Sequence, residues 1–330
     1  MLDQRLQHAT AVAPATIANV AVGFDILGFS LSEVDGAIGL SDRVRVERVE
    51  KPGVHLVEIR GDDALLNALP DDPKANTATA GLVQMAIDKK LDFGLEVRVF
   101  KGVPTSRGLG GAATSAVAAV VAASAVLDTP LSLPERFKYA LLGETLAAGQ
   151  PHGDNVAPAM LGGLILVRAM DPFDVVRIPV PHDFGAVVVV PELAVDVRLS
   201  RAQLSETLPL KAHVAQSANL AGFITGCFRD DRELITRSLH DLVVEPQRAP
   251  TIPGFAAVKD AALKAGALGV SISGAGPTLF ALHDFRARKS QIAEAMLNAF
   301  EEAGVNARAF HSPVNGLGAH IIERGPILDR

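Results

Sequence analysis

The sequence predicts an α+β protein in two halves, 1–180 and 181–330, dividing near Pro181. Strand-type and helix-type patterns are mixed along the whole chain, and no low-complexity linker or obvious repeat interrupts them. The 330 residues are 48% apolar, enough material for two domains or one large one.

Arg43 to Val49 alternates polar and apolar residues, as a strand with one wet face does. Val54 to Ile59 and Leu95 to Phe100 follow the same rule, and Asn76 to Asp88 reads as a helix with Leu82, Met85 and Ala86 on one face. A glycine turn, Gly108-Leu109-Gly110-Gly111, then runs straight into an alanine- and valine-rich helix. Its apolar window, Ala112 to Leu127, is shorter than a bilayer span of about 20 residues and contains Thr114, Ser115 and Ser124, so it is a core helix. Ser132, with Pro134 and Glu135 behind it, starts a helix over Arg136 to Ala148. Gly162 to Arg168 and Ala186 to Val190 are continuous apolar runs of strand length. Helices follow at Ala212 to Phe228, Arg232 to Asp241 and Phe255 to Ala265, strands at Gly269 to Ser273 and Thr278 to His283, and a helix at Lys289 to Ala303.

A net charge of −6 leaves no basic footprint for nucleic acid or anionic membranes. The segment Met1 to Thr10 lacks the charged and apolar regions of a secretory signal, and Cys227 is the single cysteine. A cytoplasmic enzyme without disulfides or a thiolate metal cluster is the expectation.

Consecutive glycines let backbone N–H groups converge, and the first turn of the following helix adds unsatisfied donors, so the turn reads as a phosphate cradle. A loop that merely caps a buried helix is the plainer alternative. A P-loop fails, because no lysine follows the glycines. A dinucleotide fingerprint fits Gly108, Gly110 and Ala113, with Asp128 about 20 residues on, but the seven residues Lys101 to Arg107 and the helix-ending turn at Asp128 are the wrong context.

Pro104-Thr105-Ser106-Arg107-Gly108-Leu109-Gly110-Gly111-Ala112-Ala113 resembles the phosphate-binding motif of the GHMP kinases, small-molecule kinases of galactose, homoserine, mevalonate and phosphomevalonate. Ala13 to Gly28 resembles the family's first motif and Ile272 to Thr278 its third, so the resemblance spans nearly the whole chain. His152 to Ala159 and Val244 to Arg248 are similar to the homoserine-phosphorylating branch.

That resemblance implies a ribosomal protein S5 domain 2-like first half that binds ATP, a ferredoxin-like second half, and a homodimer. It implies transfer of the ATP γ-phosphoryl group to the hydroxyl of L-homoserine, for threonine biosynthesis. Asn19, Asp25, His152, Asn155, Arg201, Arg248 and Gly274 then face the substrate. Asp25 suits the ammonium and Arg248 the carboxylate, while Arg201 is a second arginine if residues 191–219 align without gaps. The ATP side takes Asn76 near the adenine, Pro104 to Ala113, and Thr114 and Ser115. Glu144 is the Mg²⁺ ligand and, with Arg201 and Asp25, a catalytic candidate. Each has a structural alternative: Asn19 or Asp25 as a cap, His152 as a bonded loop residue, Glu144 and the arginines as surface charges.

Two departures stand out. Where the family has Ser-Ser after Gly-Leu-Gly, this chain has Gly111 and Ala112, and Val197 stands where a threonine is usual. Thr114 or Ser115 could stand in for the missing hydroxyl, or a water. A weakened homologue that binds nucleotide or amino acid, and a kinase for another small alcohol, therefore stay open, as does an NAD-binding oxidoreductase. No residue stands out as an obligatory general base.

Overall fold

The computed structural model describes residues 7–32, 40–61, 66, 69–284 and 287–326. The first six residues of the leading segment lie outside them. The first half contains β1 (His8–Pro14), β2 (Thr16–Ala18), β3 (Leu27–Ser30), β4 (Ser41–Val49), β5 (Gly53–Gly61), α1 (Ala80–Asp88), β6 (Gly94–Lys101), α2 (Gly111–Val126), α3 (Leu133–Ala148), α4 (Gly153–Leu161), β7 (Leu164–Ala169) and β8 (Asp174–Ile178). The second contains β9 (Gly185–Pro191), α5 (Val197–Ala202), α6 (Leu210–Arg229), α7 (Arg232–Ser238), α8 (Glu245–Arg248), α9 (Phe255–Lys264), β10 (Gly269–Ile272), β11 (Leu279–His283), α10 (Lys289–Glu302), β12 (Ala307–Pro313) and β13 (His320–Gly325).

One five-stranded sheet runs β13-β1-β4-β6-β5, with β5 and β6 parallel and the other pairs antiparallel. Register puts Ala11 opposite Val44 and Val44 opposite Val99, so the apolar residues of the alternating strands share one face. That face carries α2, which is buried on nearly every side and packs against β1, β4 and α3. Its alanines allow backbones to approach on all sides, and no polar stripe is needed because no side is wet. The opposite sheet face is charged, with Arg45 and Glu47 paired at 2.6 Å.

A second sheet runs β2-β3-β7-β8 and a third β10-β11-β9-β12. In the third, β9 is buried on both faces, which explains its unbroken apolar run. Ala186, Val188 and Val190 join Ile17, Leu27 and Phe29 in one core, while Val187 and Val189 meet Ile292, Met296 and Phe300 in another. Phe29 and Phe280 meet edge to face at 6.1 Å, so residues of both halves share a core. The strand order and the helices α9 and α10 between strands make the second half ferredoxin-like. Strand β13 returns to pair with β1. Among the described residues no helix is long and apolar enough to cross a membrane.

Three boundaries differ from expectation. The helix expected from Asn76 begins at Ala80, because the Asn76 side chain donates to Pro70 O and accepts from Ala78 N, holding a turn there. The helix expected through Asp241 stops at Ser238. His152, whose plainer reading is a bonded loop residue, is the N-cap of a helix that begins at Gly153; Gly153 and Pro158 disguise that helix. The start at Ser132 is as read: the Glu135 carboxylate accepts from Ser132 N at 2.8 Å and Oγ at 2.7 Å.

Candidate active site

Three turns far apart in sequence are bonded to one another. Thr16 N donates to Leu109 O at 3.1 Å, Ser273 Oγ donates to Gly108 O at 2.6 Å, and Gly274 N reaches Ala18 O at 3.4 Å. Gly108 has φ +76°, and a Cβ there would stand 2.4 Å from the Ser273 carbonyl oxygen, so only glycine fits. Gly110, φ +67°, is the N-cap of α2 and presses on Thr16 and Asn155, whose side chains are bonded at 2.7 Å. The glycine turn is thus clamped from both halves.

Beside it lies a cavity of about 660 Å³ lined by Asn76, Pro104 to Ala112, Ser115, Glu144, Asn155, Val197 and Gly274, among others. Its backbone and size suit a nucleotide triphosphate. Arg107 Nη1 is bonded to Pro191 O, tying the loop to the end of β9. Asn76 has both arms of its amide committed to backbone. Ala113 is fully buried. Thr114 is fully buried too, and its hydroxyl donates to Gly110 O at 2.8 Å rather than facing the cavity. Ser115 does line the cavity, but its Oγ donates to Asp42 Oδ2 at 2.6 Å and receives Lys101 Nζ at 3.0 Å.

Glu144, on α3, is buried at the cavity wall and receives a hydrogen bond from the Ala113 N–H. Burial, reinforced by the Asp154 charge, pushes its carboxyl up to about 8; burial and then the Asp25 charge push Asp154 up to about 7. Among the described residues, neither Glu144 Oε2 nor Asp154 Oδ1 has a hydrogen-bond partner. Glu144 lines the cavity, and its unspent oxygen is the kind of donor a hard divalent cation takes.

The substrate candidates form a charged cluster next to this cavity. Arg201 Nη1 lies 2.8 Å from Asp25 Oδ1, 2.6 Å from Asp25 Oδ2 and 3.1 Å from His152 Nε2. Burial is the main cause that lowers the His152 pKa, so the ring is neutral, and a guanidinium neighbour makes Nε2 the acceptor and leaves the proton on Nδ1. Arg248 is buried, and its Nη1 donates to Gly274 O at 2.6 Å. Asn19 Nδ2 donates to the same carbonyl at 3.2 Å, and Asn19 Oδ1 accepts from Asp25 N at 3.1 Å. Both arginines stack on Phe24, Arg201 at 4.9 Å and Arg248 at 5.3 Å from the ring centroid. Asn19, Val20, Ala21 and Asp25 have positive φ, and for β-branched Val20 this is a strained conformation. Gly274 lines the cavity and also joins this cluster through its carbonyl, whereas Asn155 lines the cavity but is bonded to Thr16 at the glycine turn.

Sequence reasoning missed Lys101 and Asp42. Lys101 Nζ lies 2.5 Å from Asp42 Oδ2 and 2.8 Å from Gly111 O, and Asp42 Oδ1 accepts from Gly102 and Val103 N–H, both at 3.0 Å. The pair braces the glycine turn from beneath. A charged residue at an inward position of each of two alternating strands was the available signal.

The turn, the cavity and the clustered charges define a small-molecule kinase. Residues 76–163 match the GHMP kinases N terminal domain and residues 220–303 the GHMP kinases C terminal. The chain belongs to the GHMP kinase family. The homoserine kinase of Xanthomonas campestris pv. campestris (strain B100) is 43% identical over 317 residues, covering 96% of this chain and 95% of its own. That of Xylella fastidiosa (strain M12) is 42% identical over 315 residues, covering 96% and 94%. The crystal structure of homoserine kinase from Cytophaga hutchinsonii superposes with a TM-score of 0.88 at 37% identity, covering 96% of this chain and 98% of that one. Within the family, this chain falls in the homoserine kinase branch.

Proposed function

We propose that the chain transfers the γ-phosphoryl group of ATP to the side-chain hydroxyl of L-homoserine, forming O-phospho-L-homoserine and ADP. The observation that carries this reading is the position of the Asp25, Arg201, His152 and Arg248 cluster directly beside the clamped glycine turn. Two guanidinium groups, Arg201 beside Asp25 and the buried Arg248, suit an amino acid carboxylate entering next to a triphosphate. Arg248 binds that carboxylate, Asp25 the ammonium, and Asn19 and Gly274 hold both in register. The His152 Nδ1–H and the Asn155 amide orient the hydroxyl.

The halves divide the work: 1–180 holds ATP through the α2 N-terminus and the glycine turn, and 181–330 supplies Arg201, Arg248 and Gly274. Mg²⁺ fits at Glu144, whose unspent oxygen faces buried surroundings. When bound, it neutralises phosphate charge. Phosphoryl transfer has a loose transition state, so these residues act by position and charge: the cradle N–H groups and Arg201 stabilise the transferring group while the pocket keeps the hydroxyl in line. The test is phosphorus NMR of a reaction containing ATP, Mg²⁺ and L-homoserine. A new phosphomonoester signal stoichiometric with ADP is expected; ADP accompanied only by inorganic phosphate would refute the assignment.

A further inference from the structure

Arg248 closes α8, a helix of four residues that cannot hold its shape by its own hydrogen bonds. Asp241 holds it. Its Oδ1 accepts from Val243 N at 2.9 Å and Val244 N at 3.0 Å, and its Oδ2 from Glu245 N at 2.8 Å. On the far side of α8, Ser271 Oγ donates to Glu245 Oε2 at 2.6 Å, fastening the segment to β10.

Gln216, on α6, extends the arrangement. Its Oε1 accepts from Leu242 N at 2.9 Å, which fixes the orientation of the amide. Its Nε2 then donates both to Asp241 Oδ1 and to Val22 O, each at 3.3 Å. Val22 lies in the strained turn that carries Asn19 and Asp25. One side chain therefore joins the segment of Arg248 to the segment of Asp25.

We infer that the Gln216 and Asp241 bridge is a positioning device for the acceptor, setting the separation between the group that binds its carboxylate and the group that binds its ammonium. This rests on the function proposed above. Neither residue touches the acceptor in that reading, so their effect passes through Arg248 and Asp25 alone. A small displacement of either anchor costs acceptor affinity while leaving the ATP cavity untouched.

The test is steady-state ADP release by wild type, Gln216→Met, Asp241→Asn and the double variant, with L-homoserine and with 3-aminopropan-1-ol, which lacks the carboxylate. For each single variant the KM for homoserine is expected to rise about tenfold, with the KM for ATP changed less than about twofold. The preference for homoserine over the amino alcohol should shrink, and the double variant should fall short of the product of the singles. A purely structural role would lower the melting temperature and leave the acceptor preference intact; that result, or an unchanged homoserine KM, overturns the inference. Should Asp241→Asn fail to fold, Gln216→Met, which removes a half-buried amide, decides alone. Wild type without homoserine-dependent turnover would instead refute the function itself, and the inference with it.

Discussion

The two sides of the site are built from different materials. The nucleotide side is backbone: left-handed glycines, the N-terminus of an alanine-rich helix, and a hidden Lys101 and Asp42 brace. The acceptor side is made of polar and charged side chains drawn from the turn between β2 and β3, the N-cap of α4, α5 and α8, brought together over that strained turn. The difference teaches where each side is vulnerable. A backbone cradle tolerates loss of hydroxyls but no added Cβ at its left-handed glycines, whereas a charge cluster tolerates no change in geometry.

The contrast can be broken most sharply at Glu144. Glu144→Gln keeps the shape but removes the charge available to a cation, and kcat should fall about 10³-fold in an ADP-release assay, with magnesium titration failing to restore it. Lys101→Met should act on the fold, since it leaves fully buried Asp42 without its counter-charge. A loss of about 3–5 kcal/mol in urea unfolding is expected. Arg248→Lys sharpens the acceptor side: kcat/KM for homoserine should drop about 10²-fold, while ATP affinity by thermal shift stays unchanged. Ala112→Ser restores the hydroxyl usual in the family, and turnover should move by less than about threefold if the backbone suffices. A large gain over a near-silent wild type would identify a decayed kinase.

The smallest effect concerns pH. Burial holds His152 below its ordinary value, so the homoserine KM should show no inflection at the pH where a free histidine titrates. An inflection near the free histidine value, followed by KM against pH, would show a solvated ring.

The same contrast explains what could be read in advance. The cradle was legible because its chemistry is local: Gly108 to Ala113 are consecutive, and the helix they enter follows at once. Alternating strands such as Arg43 to Val49 were legible for the same reason. Short strands β1 to β3 were not, because alanine-rich segments such as Ala13 to Ala18 carry no clear period. For the acceptor side the resemblance supplied the residues, but their mutual contacts depend on topology. No spacing in the sequence brings Arg201 to Asp25, and none shows that Thr114 turns its hydroxyl back to Gly110. Gln216 reads as an ordinary helical glutamine until Val22 and Asp241 are seen around it.

The most direct test of the account is ADP release with ATP and Mg²⁺ against L-homoserine, galactose, mevalonate and no acceptor. The account predicts release that depends on L-homoserine and stays at the no-acceptor level with the two ligands lacking an amino acid head group. Equal release with all four, or none with homoserine while ATP still raises the melting temperature, would contradict it.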